Sequence, residues 1–324
     1  MQVSFIIPLY NCLPLTRACV ASLQATLPRG LEHEIILVDD GSTDGTREWL
    51  QTLAAPCRVI LNDRNLGYAA ANNRGAAVAR GPLLALVNND LLFQRGWLEP
   101  MLALHERLGA RAGLVGNVQR AAATRRLDHT GIAINHKGKP EHERVWYPWP
   151  CRARRVAAVT GACTLIRRSL FLEHGGFDEG FMNGGEDVDL SFRLLAAGCV
   201  NAVALRSCVL HHVSASPGRK LRDEQNTRRL VEKWRPQLVQ LGTRPWSWHF
   251  LATQWSGARD PDTWITAAGL LAYALHLRRR IPIQALVGMN VALDAEQSRW
   301  ADLLPGSRTL QNSILAADHA DQRG

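Results

Sequence analysis

An acidic, glycine-rich segment carries the side chains of this sequence that are best suited to proton transfer or cation binding. Gly175–Leu190 reads GGFDEGFMNGGEDVDL, with five carboxylates within twelve positions of a chain whose net charge is +9. Such crowding raises the cost of ionisation unless a cation, a hydroxyl substrate or a helix end absorbs the charge. The five acidic residues are Asp178, Glu179, Glu186, Asp187 and Asp189.

The start of a helix also accounts for part of this segment. Apolar residues recur at helical spacing from Val188 to Leu195, which predicts a helix beginning near Glu186. A helix dipole stabilises acidic residues in the first turn by about 0.3–1 kcal/mol each. Taken alone, the segment leaves both helix capping and chemistry open.

Short apolar runs alternate with amphipathic segments in the first half of the chain, which is typical of a mostly parallel α/β sheet flanked by helices. We predict strands over Val3–Ile7, Glu34–Val38, Arg58–Leu61, Leu83–Val87, Gly113–Val118 and Ala202–Leu210. We predict helices over Leu15–Leu27, Thr46–Leu53, Ala69–Ala79 and Gly96–Leu108. Ligands of such sheets bind at the carboxyl ends of the strands, so the residues that follow each strand matter for function.

Acidic, amide and small residues follow the second and fourth of these strands. The loop Asp39–Thr46 offers acceptors for the N–H of a pyrimidine base and for ribose hydroxyls, although turn formation and helix capping by Asp44 explain it equally well. Asn88-Asn89-Asp90 suits a hard divalent cation that bridges phosphates, with a helix N-cap as the alternative.

Two adjacent histidines close the last predicted strand. Imidazole is a ligand for Mn²⁺-like ions, and a structural role is the alternative. Because neighbouring residues of a strand point to opposite faces, at most one of His211 and His212 faces a cleft.

Several classes of protein are excluded by what the sequence lacks. The seven cysteines are scattered without a CxxC pair, so neither a disulfide framework nor a zinc cluster is indicated. No GxxxxGK[ST], GxGxxG or GxSxG pattern supports an ATPase, a dinucleotide-binding enzyme or a hydrolase. The basic residues are dispersed and lack a nucleic-acid-binding motif, so we expect no nucleic-acid partner.

In this order, the motifs resemble those of the family-2 glycosyltransferases, inverting enzymes of the GT-A fold. The matching segments are 4–11, 34–46, 65–68 with 72–75, 86–90, 160–163, 175–190 and 211–216. The resemblance covers about residues 3–216. We therefore expect a GT-A domain over 1–216 and a helical, basic, Trp-rich extension over 217–324.

The resemblance implies a nucleotide-sugar donor, a divalent metal (Mn²⁺ or Mg²⁺) and a catalytic base. Asp187 matches the base, and Glu186 would contact the acceptor or influence Asp187. Asp90 matches the last residue of the DxD motif and would hold the metal with His211, whereas Asn88 departs from the first Asp of that motif. The expected donor-binding residues are Pro8, Tyr10 and Asp40 at the base, Asn89 at the ribose, Asp90 at the diphosphate, and further Asn11, Asp39, Asp44, Asn65, Gly67 and Asn72.

The resemblance also implies partners and a setting. We expect a UDP- or dTDP-linked sugar as donor and a saccharide or lipid-linked saccharide as acceptor, in the assembly of a surface polysaccharide or glycolipid. A catalytically idle nucleotide-sugar-binding module is the alternative. His129, in Asp128-His129-Thr130-Gly131, either approaches the acceptor or is structural.

The two ends of the chain bear on where the protein acts. The N-terminus leads directly into an apolar strand without a signal peptide, which predicts a cytoplasmic protein. Leu270–Leu277 followed by Arg278–Arg280 predicts a packed helix with a solvated basic end, with a helix on an anionic membrane surface as the alternative. The tail from Ala316 is predicted to be disordered.

Overall fold

A computed structural model describes residues 2–148, 150–212, 219–253 and 261–304 of the chain. The chain divides into two compact units. Unit 1 comprises Met1–Ala133 and Pro140–Arg222, and unit 2 comprises Ile134–Lys139 and Asp223–Gly324. Three sequence features lie outside the described residues: Ser214 and Ser216 of the last motif, Trp149 and Trp255, and the tail from Ala316.

Unit 1 is built on a mixed, mostly parallel sheet, as predicted. In sheet order β10-β12-β6-β11-β4-β1-β2-β3, the pairs β1–β2, β2–β3, β1–β4 and β6–β12 are parallel, whereas β11 runs antiparallel to β4 and β6. The strands are β1 (Val3–Leu9), β2 (His33–Asp39), β3 (Cys57–Leu61), β4 (Leu83–Val87), β5 (Leu91–Leu92), β6 (Ala112–Ala121), β7 (Leu127–His129), β8 (Ile132–Ile134), β9 (Pro140–His142), β10 (Ala153–Arg155), β11 (Cys163–Arg167) and β12 (Val200–His211). The short strand β5 pairs with β12, β7 pairs with β6, and β8 pairs with β9 in a separate small sheet.

Helices cover both faces of this sheet, because β1, β2 and β4 carry long apolar side chains on both sides. One buried cluster gathers around Phe5, Trp97 and Met101, and the other around Ile6, Phe171 and Phe177. The helices of unit 1 are α1 (Leu13–Thr26), α2 (Thr46–Leu50), α3 (Tyr68–Val78), α4 (Glu99–Leu108), α5 (Arg168–Glu173) and α6 (Glu186–Ala196).

Most element boundaries differ from the predicted ones by one to three residues, as two helices illustrate. The helix expected from Gly96 begins at Glu99, because Gly96 adopts φ 81° and Trp97 and Leu98 turn into the core first. Helix α2 ends at Leu50, three residues earlier than expected.

Unit 2 is helical, as predicted. It contains α7 (Arg219–Thr253), which belongs to this unit from Asp223 onward, α8 (Pro261–Ala274) and α9 (Ile283–Leu303). Helix α7 is kinked at Trp234 (φ −128°, ψ 23°), two residues before Pro236, whose ring and missing N–H interrupt a helix. None of the helices in the described ranges combines the length and the apolar character that crossing a bilayer requires.

Candidate functional site

The loop that follows β2 is organised by two adjacent aspartates. Asp39 is fully buried and binds Arg47 (Oδ2 to Nε, 2.7 Å), and both its carboxylate oxygens accept the Ser42 amide at 3.3 Å. Its oxygens thus hold the loop together. Asp40 instead reaches the loop that follows β3.

Asp40 fixes the conformation of residues 62–67. Its carboxylate accepts the backbone amides of Leu66 and Gly67 at 2.8–3.0 Å and the Asn62 side-chain amide at 2.7 Å. The two loops approach so closely that a Cβ on Gly41 would lie 2.8 Å from the backbone carbon of Arg64. A glycine is therefore required at position 41, where φ is 86°.

The residues after β1 form the opposite side of this loop pair. Asn11 adopts φ 58°, donates its backbone amide to Ser42 Oγ at 2.7 Å and accepts the Thr43 amide at 2.8 Å. Asp44 accepts the Leu13 amide at 3.0 Å and the Thr46 hydroxyl at 2.6 Å. Asn11 and Asp44 thus brace the two loops, while the Tyr10 ring between them is half-exposed.

The other residues predicted to bind the donor lie at the same edge of the sheet. Pro8 is buried within β1. Asn65 is exposed and accepts the Gly67 amide at 3.0 Å. Asn72 lies inside α3, where it donates to the Tyr68 carbonyl at 2.9 Å. Asn89 donates to the Thr16 hydroxyl at 2.8 Å.

Asp90 and His211 are brought together by the pairing of β5 with β12. Leu91 is in register with His211, and Asp90 Oδ1 lies 3.3 Å from His211 Nε2. His212 points its backbone amide at the Asp90 carbonyl, at 3.0 Å. Of the two histidines, His211 is therefore the one whose ring meets Asp90.

The Asp90–His211 pair fits part of the coordination shell of a divalent cation. In the described part of the chain, Asp90 Oδ1 accepts no hydrogen bond beyond its 3.3 Å contact with His211 Nε2, and one oxygen with one nitrogen suits Mn²⁺. No group of three or more His, Cys, Asp or Glu side chains among the described residues is arranged to hold a metal. The chain thus offers two ligands, and a bound diphosphate or water would have to supply the others.

The acidic segment ends in a carboxylate pair at the start of α6. Asp187 accepts the Gly161 amide at its Oδ2 and the Val188 amide at its Oδ1, both at 2.8 Å. Glu186 is buried and accepts the Gly184 amide at 2.7 Å. Both carboxylates are held by backbone donors rather than by cationic side chains.

The other three carboxylates of the segment are occupied by structural contacts. Asp189 is fully buried against Arg193 at 2.9 Å. Asp178 accepts the Gly180 amide and Glu179 accepts the side-chain amide of Asn73, each at 2.9 Å.

Burial shapes the acidity of the pair at the start of α6. It raises the pKa of Glu186 to about 8, with the negative charge of Asp187 adding to the effect. It also raises the pKa of Asp187, although the Gly161 amide and His142 oppose that rise. Burial therefore disfavours ionisation of both carboxylates, and a pKa near 8 keeps Glu186 mostly protonated at neutral pH.

Sequence reasoning missed residues that connect these parts. Tyr68 donates its hydroxyl to the Gly161 carbonyl at 2.8 Å and its backbone amide to Asn183 at 2.9 Å. Asn62, one residue after β3, supports Asp40 and is itself bound by Arg74. The sequence marks both positions, with Asn62 directly after a strand and Tyr68 within the matching segment 65–68, but it does not reveal the contacts that these residues make.

A comparison with family models identifies one match. The model described as Glycosyl transferase family 2 matches residues 4–175, more than half of the chain. The match includes the loops around Asp40 and Asp90 and ends before the Glu186–Asp187 pair.

Curated relatives at 30% identity or above include one named for O-antigen biosynthesis and one named as a rhamnosyltransferase. The O-antigen biosynthesis protein RfbC of Myxococcus xanthus is 32% identical over 230 residues, which cover 66% of this chain and 18% of that protein. The N-acetylglucosaminyl-diphospho-decaprenol L-rhamnosyltransferase of Mycobacterium tuberculosis is 30% identical over 230 residues, covering 62% of this chain and 72% of the relative. The chain thus spans less than a fifth of the length of the first.

The fold is also that of solved glycosyltransferases. A crystal structure of GalNAc-T7 with UDP, GalNAc and Mn²⁺ aligns with a TM-score of 0.63 at 17% identity, covering 87% of this chain and 58% of that one. At this identity the likeness establishes the fold, which is GT-A.

Proposed function

The chain belongs to glycosyl transferase family 2, and on that premise we propose that it transfers a sugar from a nucleoside-diphosphate sugar to an acceptor hydroxyl with inversion. The observation that carries the proposal is the Glu186–Asp187 pair, held by backbone amides in the same unit as Asp90 and His211. A binding module without catalytic activity would not need this pair of carboxylates.

Asp187 is the proposed general base. A sugar hydroxyl is a poor nucleophile near neutral pH, so a carboxylate must accept its proton as the attack develops. The acceptor oxygen forms a bond to the anomeric carbon, and the bond from that carbon to the diphosphate breaks. The proton goes to Asp187 and the electron pair leaves with the nucleoside diphosphate.

Glu186 supports this role by remaining protonated. A neutral Glu186 adds no second charge beside Asp187 and can donate a hydrogen bond to the acceptor. A proton on Glu186 thus keeps Asp187 ionised at the pH where it must act.

The donor site is proposed at the loops that follow β1, β2, β3 and β4. The half-exposed Tyr10 ring can stack on a nucleoside base, while Asp40 keeps the loop 62–67 in place beside it. Pro8, Asn11, Asn65, Gly67, Asn72 and Asn89 belong to the same proposed site, together with Asp39 and Asp44, which shape its loop.

Asp90 and His211 would hold Mn²⁺ or Mg²⁺ at the diphosphate. When bound, such an ion neutralises charge that accumulates on the leaving diphosphate. Asn88 replaces one carboxylate in this region with an amide, so the chain supplies less negative charge than a DxD motif would.

A lipid-linked saccharide is the proposed acceptor, in the assembly of a surface polysaccharide. The support is the rhamnosyltransferase relative, whose name specifies an N-acetylglucosaminyl-diphospho-decaprenol acceptor and an L-rhamnosyl group. The O-antigen biosynthesis relative has the same biological setting.

Unit 2 offers a surface for the membrane in which such an acceptor resides, and we propose a cytoplasmic protein peripheral to an anionic membrane. Trp264, Ile265, Leu277 and Ile283 are all more than half exposed, and the exposed Arg278–Arg280 lie between Leu277 and Ile283 in the sequence. Apolar side chains enter the interface, and each arginine contributes about 1 kcal/mol of attraction to anionic lipid.

Vesicle flotation tests this surface. Wild-type protein should float with vesicles of phosphatidylcholine and phosphatidylglycerol but not with phosphatidylcholine alone. The variant R278E/R279E/R280E should lose binding, whereas R95E/R107E/R111E, with the same charge change on exposed arginines of unit 1, should retain it. Equal loss in both variants would indicate net charge rather than a docking surface.

The transfer reaction is tested with a panel of UDP-, dTDP- and GDP-linked sugars in Mn²⁺, scored by calorimetric binding and by donor hydrolysis. Asp187→Asn should reduce turnover by at least a hundredfold while the donor Kd stays within about twofold. Turnover at the wild-type rate would remove Asp187 as the base. A wild-type protein that binds no nucleotide sugar would overturn the proposed function itself.

A further inference from the structure

Unpaired polar side chains are concentrated beside the Asp90–His211 pair. His129 is fully buried, yet neither of its ring nitrogens has a hydrogen-bond partner in the described part of the chain. The same holds for Gln119 Nε2 and Asn117 Oδ1, in residues that are at most 1% exposed. Each such atom costs the fold about 1–3 kcal/mol, so a group of them points to a ligand that pairs with them.

The strand register puts these side chains on one face of the sheet. Gln119 lies directly opposite His129 across the antiparallel pair β6–β7, and Asn117 precedes Gln119 by two residues. On the other side of β6, Gln119 is in register with Val209, two residues before His211. Because side chains alternate along a strand, Asn117, Gln119 and His211 share this face.

His142 connects this group to the catalytic pair. Its ring packs edge-to-face on His129, with centroids 4.7 Å apart, and the residue keeps exposed surface. The charge of Asp187 acts on His142, raising its pKa against the effect of burial. His129 thus contacts His142, on which the charge of Asp187 acts, while the strand register places Gln119 opposite His129.

The chemistry of the group favours hydroxyls over phosphate. Burial lowers the pKa of His129 well below its ordinary value, and His142 and His211 act in the same direction. A neutral imidazole offers one donor and one acceptor, the Gln119 amide offers a donor, and Asn117 offers an acceptor. No positive charge, which a phosphate would require, belongs to this set.

We propose that Asn117, Gln119 and His129 form a subsite that hydrogen-bonds the hydroxyls of a pyranose ring and so helps to select the sugar. The subsite rests on the proposed transfer reaction. The ring belongs either to the donor or to the acceptor, which present the same hydroxyl chemistry, and binding measurements separate the two.

The test uses Gln119→Met and His129→Leu, which remove the polar atoms while keeping side chains of similar reach. His105→Leu is the matched control, because His105 on α4 also has an unpaired buried ring nitrogen but lies outside this group. The probes are UDP and dTDP, with UDP-N-acetylgalactosamine and dTDP-L-rhamnose as the corresponding sugar nucleotides. Thermal unfolding without ligand reports whether each variant is folded.

Both variants should unfold at or above the wild-type temperature, since an unpaired polar group has been removed. Their Kd for the free nucleoside diphosphate should change less than twofold. A tenfold or greater rise in Kd for the sugar nucleotide assigns the subsite to the donor, whereas a tenfold rise in acceptor KM alone assigns it to the acceptor.

Unchanged donor Kd and acceptor KM in both variants would overturn the subsite, as would an equal loss of affinity for the free diphosphate. A melting temperature well below wild type in both variants would identify the group as structural. If wild-type protein bound no sugar nucleotide, the proposed function would fail before the subsite was at issue.

Discussion

Replacing Glu186 by glutamine should change how the stability of the protein depends on pH. Glu186 is buried, and its carboxylate accepts the Gly184 amide at 2.7 Å, a hydrogen bond that a glutamine oxygen can also accept. Glutamine resembles protonated glutamate in shape and charge. The substitution therefore removes ionisation while preserving the local packing.

The size of this change in the free energy of unfolding follows from the raised pKa of Glu186. Burial and the charge of Asp187 raise the pKa of Glu186 from an ordinary 4.5 to about 8. Above pH 4.5 the unfolded chain loses this proton and the folded chain keeps it, so the free energy of unfolding falls by about 1.4 kcal/mol per pH unit. The decrease ends near pH 8 and amounts to about 5 kcal/mol, which Glu186→Gln should abolish.

Urea denaturation between pH 5 and 8.5, followed by circular dichroism, measures this difference. The free energy of unfolding of the variant, minus that of wild type, should rise steadily with pH across this range. Residue 186 is neutral in both proteins until Glu186 ionises near pH 8, so the difference between them reports the ionisation of Glu186. Glu106→Gln, on the exposed side of α4, controls for the same chemical change elsewhere. A difference that stays constant with pH would refute the raised pKa of Glu186.

Two further substitutions test the donor side. Asp90→Ala should raise the donor Kd in Mn²⁺ by about 10–100-fold, and chelation of the metal should weaken binding to wild type but not to the variant, as measured by calorimetry. Asp40→Asn should lower the free energy of unfolding by about 2 kcal/mol and weaken nucleoside-diphosphate binding, because an amide cannot accept all three hydrogen bonds that hold residues 62–67. A donor Kd unchanged by Asp90→Ala would exclude Asp90 from the metal site, and full stability in Asp40→Asn would show that the loop is held by other contacts.

The parallel part of the fold was predictable because most of its strands are buried apolar runs with turn residues behind them, and the partly exposed edge strand β3 is still rich in apolar residues. The helix that begins at Glu186 was predictable from the apolar stripe along it and from the glycines that precede it. The antiparallel strand β11 carries no such mark, since its direction is set by its partners β4 and β6 rather than by its own residues.

The site was predictable where its residues follow strands in sequence. Asp40, Asp90 and His211 lie at strand ends, and the structure brings Asp90 and His211 together. Their roles, and that of Asp187, stay predictions. The sequence drew attention to His129 but not to Gln119, and it could not show that their polar atoms lack a partner in the described part of the chain, which only a three-dimensional arrangement reveals.

Tyr68 limits how freely parts of this enzyme can be exchanged with those of its relatives. Its hydroxyl binds the carbonyl of Gly161, whose amide holds Asp187, and its backbone amide binds Asn183 in the acidic loop. Three segments that are distant in sequence thus meet at one side chain. A chimera that imports only the acidic loop of a relative would lose the alignment of its base, so a working exchange must transfer residues 68, 161 and 183 together.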